Sequence, residues 1–273
     1  MLEANLSPAS EFFMTDQSPI TGSVLFYTQP EPLNAQTHGK LGMNANDKPY
    51  AFAREGHIVP AVVTEFAPAA LSFPIIFIGE KKLPVAVMGI NAGENLFVKD
   101  DGGYLTGAYI PGFLRRYPFV LANDDTEKRM VVCIDRPSKL IQENAETPFF
   151  DANGQPTEFT QNAIKFCDDF ELERMRTESF VQLLTDLDLF ETKQAHYTPF
   201  NNDGTRGEPQ VIAEYFAVSE DKLKALPTEK LIELRDNGAL GQIYAHLTSL
   251  LGWERLIAMQ IEKRLGEGGQ TVQ

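Results

Sequence analysis

The sequence predicts an α+β fold: a mostly antiparallel bent sheet with one long helix and a C-terminal helical cluster. Three observations predict it. Apolar segments pair around short polar turns between residues 20 and 135, apolar residues recur at helical spacing over residues 157–189, and short helical segments follow residue 219. Successive hairpins form antiparallel sheets, whereas a doubly wound fold needs strands that alternate with long helices.

Composition and charge exclude several classes of protein. The chain has 273 residues, of which 43% are hydrophobic and 23% charged, as in ordinary globular proteins. A formal net charge of −14 argues against a nucleic-acid partner, because phosphate backbones repel an acidic surface. No apolar run approaches the ~20 residues that a transmembrane segment needs. Residues 1–18 lack the pattern of a secretory signal, so we expect a soluble cytoplasmic protein.

Composition along the chain predicts one folded domain with an unfolded segment at each end. We expect residues 1–19 to form a disordered N-terminal arm and residues 266–273 a frayed tail. Between them, residues 20–265 form a single domain that is β-rich over residues 20–135 and helical over residues 157–265. A late strand should return to the main sheet and make this domain one cooperative unit.

The β-rich half begins with a strand at residues 22–28 and a long loop at residues 33–49, which is rich in Gly, Asn and Asp. A helical turn is expected over residues 111–117, and it should end before Pro118. Three predicted hairpins each join two apolar segments through a polar turn: residues 73–78 with 84–90, 95–98 with 104–109, and 119–122 with 129–134.

The helical half begins with the long helix of residues 157–189, whose apolar stripe is interrupted by Glu173 and Thr177. Residues 192–209 indicate a surface loop, and Val211–Val218 the late strand. Trp253, the only tryptophan, should be mostly buried near Tyr244 and Leu247. Four short helices are expected after the late strand: residues 220–226, 228–237, 240–251 and 253–265.

Residues that could ligate metals or act as nucleophiles form no recognisable motif. Cys133 and Cys167 lie in apolar segments and indicate reduced, buried thiols, with a disulfide or a nucleophile as the alternatives. The four histidines have no second ligand at a spacing that would form a metal site. Phosphate-binding glycine loops and the Gly-x-Ser-x-Gly motif are absent from the sequence. The sequence therefore predicts no metal and no cofactor, and it leaves catalytic residues unknown.

Arg115 and Arg116 are the only adjacent arginines, and aromatic residues flank them on both sides. Guanidinium groups in such a segment need carboxylate, carbonyl or ligand partners. An ion pair with Glu65 or Glu94 would be structural, whereas a free guanidinium could bind an anionic group. Neighbouring residues of a helical turn point about 100° apart, so we expect one arginine to face inward and pair with a carboxylate or carbonyls.

Three polar residues lie in apolar segments and could line a pocket: Glu65, His57 and Asn95. Each also fits the simpler interpretation of a polar residue satisfied in a turn or in the core. With the arginine pair and the tyrosine that follows it, they form the candidate set for ligand or partner binding. That set is Arg115, Arg116, Glu65, His57, Asn95 and Tyr117.

Several segments of the chain together carry a resemblance to a known family. The most specific is Ala108-Tyr-Ile-Pro-Gly-Phe-Leu-Arg-Arg-Tyr-Pro-Phe119, and the others are residues 52–60, 65–66, 73–77, 93–98, 216–226 and 238–250. These segments resemble the bacterial SapC family, which is named from a surface-layer locus, and the similarity covers about residues 20–255. Relatives often accompany genes for outer-membrane receptors, cupin-like proteins and flavin-dependent halogenases. The resemblance supplies no catalytic residues.

The resemblance implies an accessory or binding protein linked to surface-layer or outer-membrane, TonB-receptor-associated systems, with a protein partner and an unknown small-molecule ligand. One alternative is an enzyme of unassigned chemistry that works with a halogenase- or cupin-associated modification or uptake system. Another is a structural surface-layer component. A cleft gathering Arg115, Arg116, Glu65 and His57 would favour the enzyme, and a broad exposed apolar patch without a cleft would favour the binding protein.

Overall fold

The computed structural model of the protein describes residues 20–21, 24–44, 46, 48–124, 129–198 and 207–270. The expected arm of residues 1–19 lies outside them. The strands are β1 (Ile20–Thr21), β2 (Pro30–Pro32), β3 (Leu41–Met43), β4 (Ile58–Pro60), β5 (Ile75–Ile78), β6 (Leu83–Val87), β7 (Phe119–Asp124), β8 (Arg129–Asp135), β9 (Ile141–Glu143), β10 (Thr147–Pro148), β11 (Phe190–Tyr197) and β12 (Gln210–Val218). The helices are α1 (Ala35–His38), α2 (Phe66–Ala69), α3 (Gly112–Arg115), α4 (Glu158–Asp186), α5 (Glu220–Lys224), α6 (Thr228–Asp236), α7 (Ala239–Ser249) and α8 (Gly252–Gln270).

The α+β class is confirmed, and the described strands form three antiparallel sheets. The largest has five strands in the order β11-β12-β5-β6-β4, so the late strand β12 joins the sheet of the first hairpin through its Phe216–Phe77 register pair. A four-stranded sheet has the order β1-β7-β8-β2, and a three-stranded one the order β10-β3-β9. Whether residues 20–265 unfold as one unit stays a prediction.

The long helix α4 packs against two separate hydrophobic clusters. Its C-terminal half contributes Phe180 and Leu184 to the main cluster, beside Phe66 and Phe77. Its N-terminal half contributes Cys167 to a smaller cluster under the other sheets. The polar residue Thr177 lies between the two clusters. Its buried hydroxyl accepts a hydrogen bond from the Val63 amide at 2.8 Å and donates one to the Glu173 carbonyl, so both groups are satisfied.

The first and third predicted hairpins form as β5–β6 and β7–β8. The second is reduced to one bridge between Val98 and Tyr104. The strand predicted for residues 22–28 does not form over residues 24–28, the part of it that the structure describes. These residues form a turn in which Phe26 has a φ of 74°. The loop predicted for residues 33–49 contains α1 and β3.

The prediction of a loop at residues 192–209 is wrong for residues 192–197, which belong to β11. This strand has eight residues and lies at one end of the five-stranded sheet. It pairs with β12 from Phe190–Val218 to Tyr197–Gln210, with a register shift between Ala195 and His196. An end strand has a neighbour on one side only and tolerates polar side chains, which is why the pattern of this segment resembled a loop.

Trp253 at the start of α8 is only partly buried, and its ring lies 5.7 Å from that of Tyr215 on β12. The expected contact with Tyr244 is wrong, because Tyr244 points to solvent. The tryptophan therefore contacts the sheet, and its expected contact with Leu247 stays a prediction.

His246 joins α7 to the sheet from a fully buried position. Its Nδ1–H donates to the Ile75 carbonyl at 2.9 Å, and its Nε2 accepts the Val218 amide at 3.1 Å. These contacts connect β5 and β12 where the two strands have few register pairs. Burial lowers the pKa of His246 to about 4, so the ring is neutral in the folded protein at pH 7.

We expect the free energy of unfolding to fall as the pH drops from about 7 towards 4. Below pH 6.5 the unfolded histidine binds a proton that the folded one does not, and this favours unfolding by about 2 kcal/mol at pH 5. Urea unfolding at pH 7 and pH 5 measures the loss. A His246→Gln variant should lose less stability between these pH values, and an equal loss in both proteins would contradict the assignment.

Candidate functional site

Glu65 lies at the end of a 3₁₀ turn (Val63–Glu65) between β4 and α2, and it is only 6% exposed. One carboxylate oxygen, Oε1, accepts three hydrogen bonds from a single later segment. The donors are the Tyr109 hydroxyl at 2.7 Å, the Gly112 amide at 2.6 Å and Nη2 of Arg115 at 3.2 Å. Of the three residues of the turn, Val63 is buried in the core, Thr64 is exposed, and the carboxylate of Glu65 faces the segment that contains α3.

Arg115, the last residue of α3, pairs with this buried carboxylate although its own side chain is 42% exposed. Its Nε donates to the Ile110 carbonyl at 3.0 Å, and Nη2 also donates to the Tyr109 hydroxyl at 3.3 Å. The guanidinium carbon lies 5.1 Å from the centre of the Phe166 ring. In the described part of the chain, the hydrogen bonds of this guanidinium use Nε and Nη2 and none uses Nη1.

The Glu65–Arg115 pair lines an open cleft of about 120 Å³ between the 3₁₀ turn, α3 and α4. Two of the lining residues each have one carboxylate oxygen that is fully buried and accepts no hydrogen bond from the described residues: Oε2 of Glu65 and Oε2 of Glu173. Buried polar atoms normally have partners, so this pair is unusual. The lining residues are Val62, Thr64, Glu65, Gly112, Arg115, Phe166, Asp169, Phe170 and Glu173.

The cleft is acidic overall. Glu65, Asp169 and Glu173 outnumber Arg115 and leave a formal charge of −2 on the lining. Lys165 and Arg176 pair with Asp169 and Glu173 from the exposed outer side of α4, where solvent weakens such pairs. Tyr109 is a neutral donor at pH 7, because burial, followed by its hydrogen bond to Glu65, raises its pKa to about 12.

Arg116 points away from the cleft and is half-buried among aromatic rings. Its guanidinium carbon lies 4.3 Å from the Phe113 ring centre and 4.7 Å from that of Phe170, with Tyr27 at 5.8 Å. No ion pair of Arg116 occurs among the residues described. The expectation that the inward arginine takes a carboxylate is therefore wrong: the more exposed Arg115 holds the carboxylate, and ring faces supply the negative potential for Arg116.

The other three candidate residues lie outside the lining of the cleft. Asn95 is buried and satisfied, because its amide donates to the Ala53 carbonyl and its oxygen accepts the Phe97 amide. His57 is half-buried, which lowers its pKa. Tyr117 donates to Asp135 at 2.8 Å and stacks on Phe52.

Sequence reasoning did not identify Asp169, Glu173 or Asp135. Glu173 had a signal, since it interrupts the apolar stripe of the long helix, whereas Asp169 has the spacing of an ordinary solvent-exposed residue. Asp135 is 2% exposed and accepts the amides of Thr28 and Gln29 as well as the Tyr117 hydroxyl. Its position at the end of an apolar strand gave no indication of that role.

Metal ligation and membrane insertion can be assessed for the described part of the chain. There, no three His, Cys, Asp or Glu side chains form a group that could hold a metal ion. The described helices include none with the length and apolar character to cross a bilayer. Cys133 and Cys167 are both buried and form no disulfide among the described residues, and burial raises the pKa of Cys167 to about 11. Neither is suited to nucleophilic chemistry.

We expect Arg115→Met to cost more stability than Arg116→Met, although Arg115 is the more exposed. The first change leaves the buried Glu65 carboxylate without its cation, at about 2 kcal/mol after allowance for solvent screening. The second keeps the packing of the stem and loses only ring contacts, at about 1 kcal/mol or less. Urea unfolding of both variants gives the order, and a larger loss for Arg116→Met would overturn this assignment.

Comparison with known proteins gives one match. The profile of the SapC family, described only as SapC, matches residues 33–256, which include the Glu65–Arg115 pair and the whole cleft. No curated protein and no solved structure matches the chain. Because the match covers most of its length, the chain belongs to the SapC family.

Proposed function

We propose that this chain is an accessory or binding protein of surface-layer or outer-membrane, TonB-receptor-associated systems, and that the cleft at Glu65 and Arg115 is its binding site. It acts in the cytoplasm and binds a protein partner. The family assignment supports the link to these systems. The observation that carries the binding role is the cleft itself, which is lined by the Glu65–Arg115 ion pair and by two further carboxylates, those of Asp169 and Glu173.

The lining favours binding over chemistry. Carboxylates can act as general acids or bases, but those of Asp169 and Glu173 are paired with Lys165 and Arg176. A histidine or a thiol within hydrogen-bond reach of the Glu65–Arg115 pair would support an enzyme more directly. The described residues that line the cleft include neither, since His57 lies elsewhere and both cysteines are buried in other clusters. Glu65 is already engaged by three donors, which suits a fixed recognition group.

Site-specific photo-crosslinking in the native host tests this proposal. A photoreactive phenylalanine analogue replaces Phe166, which lines the cleft, or Leu172, which lies on the same helix and is exposed outside it. We expect an adduct with a component of the surface-layer or outer-membrane system from position 166 and none from position 172. Cell fractionation before illumination shows whether the adduct forms in the cytoplasm.

The pattern of adducts shows whether the partner binds at the cleft and which system the partner belongs to. Equal labelling from both positions would mean that the partner does not use the cleft, and no adduct from position 166 would contradict the binding role. An adduct with a protein of an unrelated system would leave the cleft as a binding site and overturn the assignment to surface-layer or outer-membrane systems.

A further inference from the structure

We propose that the protein forms a symmetric dimer in which α7 of one copy packs antiparallel against α7 of a second copy. The surface involved is the charge-free stripe, which consists of Gly241, Tyr244, Thr248 and Leu251. None of these residues lines the cleft, so the inference goes beyond the proposed function and does not rest on it.

The charge-free stripe lies on the solvent side of α7. Its residues follow one another at steps of three, four and three, which places them on one side of a helix, and all of them are exposed. Leu71 extends the surface beyond the stripe, because Nη1 of Arg255 at the start of α8 donates to its carbonyl at 3.0 Å. At 81% and 76%, Leu71 and Leu251 are the most exposed large apolar residues of the described chain. An apolar patch of this kind indicates a contact with another protein.

The two segments that build this surface carry no formal charge. Residues 66–79 and 237–253 contain no Asp, Glu, Lys or Arg, although 23% of the chain is charged. Their single histidine, His246, is buried. Two copies that each carry a net charge of −14 repel one another in most orientations and approach most closely where charge is absent. Depletion of charged residues is also typical of the core of a protein–protein interface.

Gly241 is the residue of the stripe that contacts within one copy do not explain. It is the third residue of α7, where glycine stabilises a helix less than alanine because it loses more conformational freedom on folding. Its φ is not positive, and a Cβ at this position would meet no heavy atom of the described residues within 4 Å. Close approach of another chain to the helix backbone would account for a glycine here.

The sizes of the stripe residues match when the stripe faces a copy of itself in antiparallel orientation. Pairing about position 246 sets Leu251 opposite Gly241 of the second copy, and the same centre sets Tyr244 opposite Thr248. Each pair combines a large residue with a small one, as close packing of helices requires. A parallel arrangement would set Tyr244 against Tyr244 and glycine against glycine. The antiparallel pair therefore fills the space, and its twofold symmetry closes the assembly at two copies.

Charges at the two ends of α7 complement one another in this arrangement. Arg255 follows α7 and forms no ion pair with the described residues, and Glu254 beside it points about 100° away around α8. Asp236 precedes α7 and pairs with its exposed neighbour Arg235, a contact that solvent weakens. Antiparallel pairing brings Arg255 of one copy to the end of α7 that carries Asp236 in the other. Symmetry forms this contact twice.

Sedimentation velocity of the full-length protein, from about 1 μM to about 200 μM, tests the inference. We expect a monomer of 30.5 kDa at the lowest concentration and a species of twice that mass at the highest, with a Kd on the order of 10 μM. A protein that stays monomeric over this range, or that grows beyond two copies, would overturn the proposed dimer.

Gly241→Gln separates association from folding. Glutamine occupies open space in one copy and favours a helix more than glycine does, so the thermal midpoint measured on the monomer should stay equal or rise. The larger side chain removes the space for Leu251 of the second copy, and the Kd of the dimer should rise at least tenfold. Unchanged dimerisation of this variant would contradict the antiparallel packing.

Two exposed leucines provide matched variants. Leu251→Ser removes an apolar contact of the stripe and should weaken the dimer at least tenfold. Leu172→Ser makes the same change on α4, at a leucine that is also exposed, and should alter the Kd less than twofold. Equal effects of the two changes would show that the copies associate through another surface.

Charge reversal tests the orientation of the two helices. Arg255→Asp should weaken the dimer severalfold, and the double variant with Asp236→Arg should recover at least half of the lost binding free energy. The two positions lie at opposite ends of α7 in one chain, so recovery requires a contact between copies. Absence of recovery would exclude the antiparallel arrangement.

Other occupants of the surface are separate outcomes. The photoreactive phenylalanine analogue, placed at position 244 in the native host, should crosslink two copies of this chain. If position 244 labels only a different protein, the surface serves that partner and the proposed dimer is wrong. An adduct from position 166 has no bearing on this result, so the dimer and the proposed function can fail independently.

Discussion

The carboxylate of Glu65 is the interaction on which the surrounding structure depends. Through one oxygen it holds the 3₁₀ turn at Val63–Glu65 against the segment from Tyr109 to Arg115, which is more than 40 residues later in the chain. Burying a carboxylate is favourable only when several donors compensate for the lost water, and here two neutral donors and one cation do so. The short helix α3, which has too few residues to be stable alone, is positioned by this contact.

The same contact favours glycine at position 112. A Cβ there would lie 3.0 Å from Oε1 of Glu65 and 3.3 Å from the Phe170 ring, so a larger residue would push α3 away from both. Phe170 connects this contact to the long helix, because its ring faces Gly112, lies under the Arg116 guanidinium and forms a wall of the cleft. Seven residues further along α4, Thr177 returns to the same 3₁₀ turn through the Val63 amide. The cleft is therefore bounded by elements that constrain one another.

Apolar patterning predicted most of the fold and part of the site. Hairpins such as β5–β6 are strongly apolar, and α4 has a clear periodicity, so burial alone determines their character. The rule that a buried charge needs a partner gave Glu65 or Glu94 as the partner of an arginine, and the structure selects Glu65 and pairs it with the more exposed Arg115. The placement of Arg116 could not follow from that rule, because ring faces from three different segments replace the carboxylate, and sequence spacing does not show which aromatic residues meet. Asp169 and Glu173 also depend on tertiary placement, since the cleft exists only where α4 crosses the 3₁₀ turn.

The polar character of β11 has a consequence for how the protein avoids open-ended self-association. As an end strand, β11 presents one row of backbone groups that another chain could pair with. Glu191 and Lys193 form an ion pair on this strand, and the register shift between Ala195 and His196 disturbs its regular ladder. Charges and irregularities of this kind oppose the addition of a foreign strand and the growth of stacked sheets. The composition that made this segment resemble a loop thus protects the open side of the largest sheet from aggregation.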